Sequence, residues 1–226
     1  MRGVFDIIGP VMIGPSSSHT AGAARLGLMA GKILGEKPVK AEILLHGSFA
    51  QTYRGHGTDK ALLGGILGFA PEDMRLREAL NIAAQQGLVY SFAPVDIPEA
   101  HPNTAIIKLT GESGRVIQVE GASVGGGNIR ITRIGDFDVD LTGKYPALII
   151  VHKDRPGVVN GVTSILARYK INIAYMRVSR KMRGQEAMMI VETDDELSTE
   201  VVEDCCEIPR LLTAFAIPAI GGGSTI

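Results

Sequence analysis

Ser16, Ser17, Ser18, His19 and Thr20 stand in an unbroken row within GPSSSHTAGAARLG, Gly14 to Gly27, directly ahead of a small-residue run with helical spacing. A hydroxyl at a helix start accepts a hydrogen bond from one of the first unpaired N–H groups, and one such residue is enough. The surplus points to a carboxylate or phosphate ligand, which those N–H groups and the helix dipole both favour. A second histidine, His56, lies between glycines in RGHGTDKA, with Lys60 close behind it; a third, His101, precedes Pro102 and Asn103 in EAHPNT. Neither has a local apolar face to join, so each reads as facing a cleft or a subunit surface, with a solvated loop as the alternative.

Three loops thus bring together imidazoles, small hydroxyls, an amide and an ammonium group, a set suited to holding a carboxylate and moving protons. The local signatures of other chemistries are missing: there is no GxSxG elbow, phosphate-loop lysine motif, HExxH pair or complete dinucleotide fingerprint. GHGTDKALLGG has glycines but lacks the spacing of a nucleotide loop. Cys205 and Cys206 are adjacent and near the C-terminal end, so they can form neither a disulfide framework nor a spaced metal-ligand set. No metal ligands are expected in this chain, and the two cysteines read as small residues of a helix.

The elements that must position these loops fall into two groups. In the first, AGAARLGLMAGKILG predicts a helix stopping at Gly35, and KAEILLHGS predicts a strand that ends near His46, a residue expected to face solvent or a core edge. TDKALLGGILGF predicts a helix capped by Thr58 and Asp59, and PEDMRLREALNIAAQQG one helix from Pro71 to Gly87. From Thr104 onwards, apolar and polar residues alternate between glycine turns, the pattern of antiparallel hairpins in a mixed sheet. GASVGGGN interrupts it with glycines that let the backbone meet a ligand or another chain, or that simply form a bulge or turn.

After Pro146 the order is regular: strand ALIIVHK, helix PGVVNGVTSILARYK, strands INIAYMRVSRKM and EAMMIVETD, helix STEVVEDCCEI, strand LLTAFAIPAI. This βαββαβ order predicts a ferredoxin-like unit with helices on one face of an antiparallel sheet. The fold class is therefore α+β: a mixed α/β, substrate-binding-like domain over 1–143, the ferredoxin-like domain over 147–219, and a tail over 220–226. The formal net charge of −1 gives no broad nucleic-acid or membrane footprint. The opening MRGVFDIIGPVMIG lacks the apolar core of a secretory signal, so a cytoplasmic location is expected.

The segment VHKDRPGVVNGVTSILARYKINIAYMRVSR resembles an ACT domain, a regulatory module that binds amino acids at interfaces between paired modules. The motifs GPSSSHTAGAARLG, GHGTDKALLGGILG, HPNT and SVGGGN, in that order ahead of it, resemble the beta subunits of iron–sulfur-dependent L-serine dehydratases. The resemblance implies an L-serine ammonia-lyase with a [4Fe–4S] cluster held by cysteines of a separate alpha subunit, and an active site shared between the two chains. His19, His56 and His101 are the candidate proton-transfer groups, because a neutral imidazole accepts a proton near neutral pH, with His56 and His101 favoured. Ser16, Ser17, Ser18, Thr20, Lys60 and Asn103 become substrate-binding candidates. His152, Asp154, Gly157, Val158 and Asn160 are then expected to line an effector pocket for which serine is a candidate ligand, and self-association through the ACT domain is expected. The competing reading is a noncatalytic amino-acid sensor, which needs hydrogen-bond donors but little need for several titratable bases.

Overall fold

The computed structural model describes residues 12–14 and 16–221. The leader before residue 12 and the end of the GGGSTI tail lie outside the described residues. The chain divides into two compact units, Met1–Gly135 and Asp136–Ile226.

In the first unit, Ser16 is extended and its hydroxyl accepts from the His19 N–H, so one serine of the row caps as its type predicts. The chain then winds through a π-helical turn, Ser17–Gly22, into α1, Ala23–Leu34. α1 ends where Gly35 turns left-handed and its N–H donates to the Gly31 carbonyl. β1, Pro38–Leu45, follows, and a short helix α2, Gly47–Thr52, which periodicity did not reveal. α3, Thr58–Ile66, starts after Gly57 at a φ of 69°, without a side-chain cap. The expected capping by Thr58 is not realised: its side chain is buried at 0% exposure and points inward instead.

The expected single helix from Pro71 to Gly87 is two pieces, a 3₁₀ turn over Met74–Glu78 and α4 over Ala79–Gln85. Asp73 explains the break. Its carboxylate accepts from the Arg75 N–H at 2.9 Å and pairs with the Arg75 guanidinium at 2.6 Å, a closed local loop that competes with a regular helical start.

Strands β2 (Val89–Pro94), β3 (Thr104–Gly111), β4 (Val116–Gly125) and β5 (Asn128–Ile134) complete the first unit's sheet in the order β2-β1-β3-β4-β5, and β6 (Phe137–Leu141) opens the second unit. It is mixed, as expected: β1 runs parallel to β2 and antiparallel to β3. Helices α1 and α3 pack backbone to backbone. A Cβ on Gly27 would overlap the Leu62 carbonyl, and one on Gly65 the Ala24 carbonyl, so only glycine permits this approach. Leu26, Met29 and Ile33 from α1, Leu62 and Leu63 from α3, and Ile43, Ile107, Leu109 and Ile131 from the strands form the core, each at most 1% exposed. Burying each large side chain contributes about 1.5 to 3 kcal/mol.

The second unit contains the expected βαββαβ order: β7 (Ala147–Lys153), α5 (Val158–Arg168), β8 (Ile173–Arg180), β9 (Glu186–Thr193), α6 (Thr199–Cys206) and β10 (Leu211–Ile217). Its sheet is ordered β10-β7-β9-β8 and is antiparallel throughout. Leu148, Ile150, Met189 and Val191 meet Val158, Val162 and Leu166 of α5 and Val201 and Cys205 of α6. No helix of the described residues is long and apolar enough to cross a membrane.

Candidate functional site

The π-helical turn holds His19 between two hydroxyls. Its Nδ1 lies 3.4 Å from Ser16 Oγ and its Nε2 3.0 Å from Ser48 Oγ. Each hydroxyl can donate or accept, so the pair suits a neutral imidazole with one protonated nitrogen. The ring meets His56 edge to face at a centroid distance of 4.9 Å and Phe49 at 5.4 Å. Burial, and then the neighbouring His56, lowers the His19 pKa from its ordinary value of 6.5. His19 is therefore neutral at physiological pH and able to accept a proton.

His56 is exposed and lines a cleft of about 280 Å³ with Thr20, Arg54, Lys60, Arg77 and the backbone of Gly14, Gly55 and Gly57. Three cationic side chains around a small cleft give it a preference for a carboxylate. Lys60 was among the expected residues; Ser48, Arg54 and Arg77 were not. Arg54 stands inside RGHGTDKA and Ser48 just beyond the β1 strand, yet each is a single polar residue without a pattern of its own. Arg77 lies in the stretch read as an ordinary surface helix.

Three of the motifs read from the sequence lie against one another, and the HPNT loop is also tied to the start of α2. Phe49 N–H donates to the Pro102 carbonyl at 3.4 Å, and His46 N–H to the Thr104 carbonyl at 3.0 Å, which ties the HPNT loop to the segment bearing Ser48. Ser123 N–H donates to the Asn103 carbonyl at 3.0 Å, and a Cβ on Gly22 would overlap Ser123 Oγ. Arg25, buried in α1, donates from Nη1 to the Gly127 carbonyl at 2.7 Å. The glycines of SVGGGN form the β4–β5 turn, with Gly125, Gly126 and Gly127 all at positive φ. Thr20 Oγ1, Asn103 Oδ1 and Ser123 Oγ are buried and find no protein hydrogen-bond partner among the described residues. Buried polar atoms in that state are uncommon, and a bound water, ion or ligand is one way to satisfy them.

Not every expected residue joins this group. Ser17 and Ser18 are half-buried in the π-helical turn. His101 is exposed, and its Nδ1 accepts from the Asn103 N–H at 3.1 Å within its own loop. His46 is half-buried; its Nδ1 accepts from the Ile97 N–H at 3.1 Å and lies 3.6 Å from Asp96.

In the second unit, His152 is buried at the end of β7, with Nδ1 donating to the Lys153 carbonyl at 2.9 Å and Nε2 buried without a partner among the described residues. The Asp154 carboxylate accepts from Arg180 at 2.6 Å and from the Gly184 N–H at 3.0 Å, and these contacts hold its pKa below the usual carboxylate value. Gly157 has a φ of 96° and opens α5. The Val158 side chain belongs to the apolar core under α5, and its backbone stands at the start of that helix. Asn160 is exposed.

Comparison with known proteins adds names to this geometry. The family model "Serine dehydratase beta chain" matches residues 3–87, and that of the ACT domain matches 147–205. The chain is 44% identical to a probable L-serine dehydratase beta chain of Bacillus subtilis, over 96% of this chain and 98% of that one. It is 36% identical to an L-serine dehydratase beta chain of Peptoniphilus asaccharolyticus, over 93% and 95%. A D-3-phosphoglycerate dehydrogenase of Synechocystis is 25% identical over 86% of this chain but only 35% of its own length. End-to-end similarity to two beta chains, with the beta-chain and ACT matches falling on successive parts of the sequence, shows that this chain belongs to the L-serine dehydratase beta-chain family.

Proposed function

We propose that the chain is one half of an L-serine ammonia-lyase: it supplies proton-transfer and carboxylate-binding groups to an active site completed by an alpha subunit that carries a [4Fe–4S] cluster. The observation that carries this reading is the pairing of neutral His19 with His56 at the rim of a cleft lined by Arg54, Lys60 and Arg77. A binding module for a carboxylate needs the cations; the paired imidazoles are what proton transfer adds.

The chain's own residues do not fit as cluster ligands. Among the described residues, no group of three or more histidine, cysteine or acidic side chains could hold a metal ion, and burial pushes the Cys205 thiol up to about 11. This reading leaves the cluster to the partner and confines the part played by this chain to binding and proton movement. Overall, L-serine loses its Cα proton and its hydroxyl group as water, and the resulting enamine tautomerises and is hydrolysed to pyruvate and ammonia. Arg54, Lys60 and Arg77 attract the serine carboxylate, and the Thr20 hydroxyl, which lines the same cleft, orients it. His56, which faces the cleft, accepts the Cα proton. His19, held by Ser16 and Ser48, keeps that ring in place and opposes a second positive charge beside it. Asn103 orients substrate from its loop. His101, exposed on the same loop, takes part where the alpha subunit covers it. Effector binding near Asp154 and Gly157, and pairing of ACT domains, would act by favouring one subunit arrangement over another.

The test is anaerobic pyruvate formation from L-serine by this chain, by the reconstituted alpha subunit, and by the two together. Turnover only in the mixture, lost in His56→Ala, supports the shared site. Full turnover by the alpha subunit alone removes the catalytic role and leaves an amino-acid sensor.

A further inference from the structure

The sheet of the second unit has one face under α5 and α6 and another on which Tyr175, Arg177, Ile190 and Glu192 alternate outward, with Tyr175 opposite Glu192 and Arg177 opposite Ile190. The chain from β6 to β7 crosses this second face, where Ser179 Oγ donates to the Asp138 carbonyl. Between the sheet and that crossing lies a cavity of about 450 Å³, within the size range of small-molecule sites.

Its lining is chemically divided. Glu192 is only 5% exposed, and its Oε1 accepts from Thr142 Oγ1 at the long distance of 3.5 Å. Burial raises its pKa above the ordinary value, Thr142 partly offsets this and Asp140 adds to it; no cation contributes. A carboxylate taken out of water with no cation beside it is costly, and an entering positive group would relieve that cost. Lys144 and Arg177 line the same cavity. Arg177 is the diagonal neighbour of Glu192 across the β8–β9 pair, a separation of about 7–8 Å. A bare cation is repelled by Lys144 and Arg177, and a bare anion by Glu192. A molecule carrying both charges meets both ends. Tyr145 and Tyr175, edge to face at 5.7 Å, offer apolar surface and ring faces that favour an ammonium group.

We infer that this cavity binds a small zwitterion with an apolar body, its ammonium group on Glu192, its anionic group toward Lys144 and Arg177, and its body against the two tyrosine rings. The site lies on the sheet face opposite α5 and is independent of the proposed lyase activity.

Titration calorimetry on the full chain tests it with three probes of the same body: L-leucine, isoamylamine, which lacks the carboxylate, and 4-methylpentanoate, which lacks the ammonium. L-leucine is expected to bind at least tenfold more tightly than either half. Glu192→Gln, which keeps the shape and the Thr142 contact, is expected to weaken L-leucine at least tenfold, and Arg177→Met to do the same while retaining the wild-type melting temperature. The inference is overturned if no probe binds, if isoamylamine or 4-methylpentanoate matches L-leucine, or if binding survives Glu192→Gln but is lost in Asn160→Ala on the opposite face.

Discussion

The hydroxyl of Ser48 fixes Nε2 of His19 on one side while Ser16 meets Nδ1 on the other, so the ring cannot swing away from His56 without losing both contacts. Ser48→Ala leaves a half-buried nitrogen without its partner, a loss of about 1 to 3 kcal/mol. In the assembled enzyme this is expected to lower kcat/KM roughly ten- to hundredfold and to lower Tm by several degrees. The lowered pKa of His19 has a direction too. Because its folded value lies below the ordinary 6.5, the neutral form persists as pH falls through that value. Folding stability should therefore fall as pH drops from 6.5 through the folded pKa, a loss that urea unfolding across that range reads. Glu192 has the opposite sign. Its folded pKa is raised above the ordinary 4.5, so the buried carboxyl is tolerated below that value and costs stability as pH rises through the folded one. Thermal unfolding of Glu192→Gln should show a higher Tm than the parent chain at pH 8 and an equal one near pH 4.

At the scale of the elements, the junction of α1 and α3 leaves no room for a side chain at Gly27 or Gly65, since a Cβ would meet backbone rather than a movable side chain. Gly27→Ala should cost about 1 to 3 kcal/mol or more in urea unfolding, and it should disturb the cleft through the start of α3 beside His56. Much of this architecture is legible in the sequence: the serine cap, the glycine stop of α1, the mixed sheet and the βαββαβ order all follow from residue type and period. What escapes is set by tertiary contact. Thr58 looks like a cap but points into the core, and Asp73 diverts the next helix into a 3₁₀ turn through a pairing with Arg75 that periodicity does not encode. The site shows the same division. The histidine, serine and glycine motifs announce themselves by clustering, whereas Ser48, Arg54 and Arg77 become meaningful only once α2, the loop after it and the 3₁₀ turn have folded around His19 and the cleft.

In the molecule as a whole, each of the two compact units is held by its own buried side chains, those of the second lying between its sheet and α5 and α6. Leu166→Ala, which empties part of the core beneath α5, is expected to cost about 2 to 5 kcal/mol. Hydrogen exchange should then speed up at amides of β7 and β9 while those of β1 and β3 keep their protection. The adjacent cysteines of α6 are equally divided in character. Cys205 is fully buried, with its thiol pushed up to about 11, while Cys206 is exposed. A thiol reacts as its thiolate and only where a reagent can reach it. A maleimide dye should therefore couple at one position of the unmodified chain, placing a fluorophore on the ACT domain from which the approach of a partner subunit or the arrival of an effector can be followed by energy transfer.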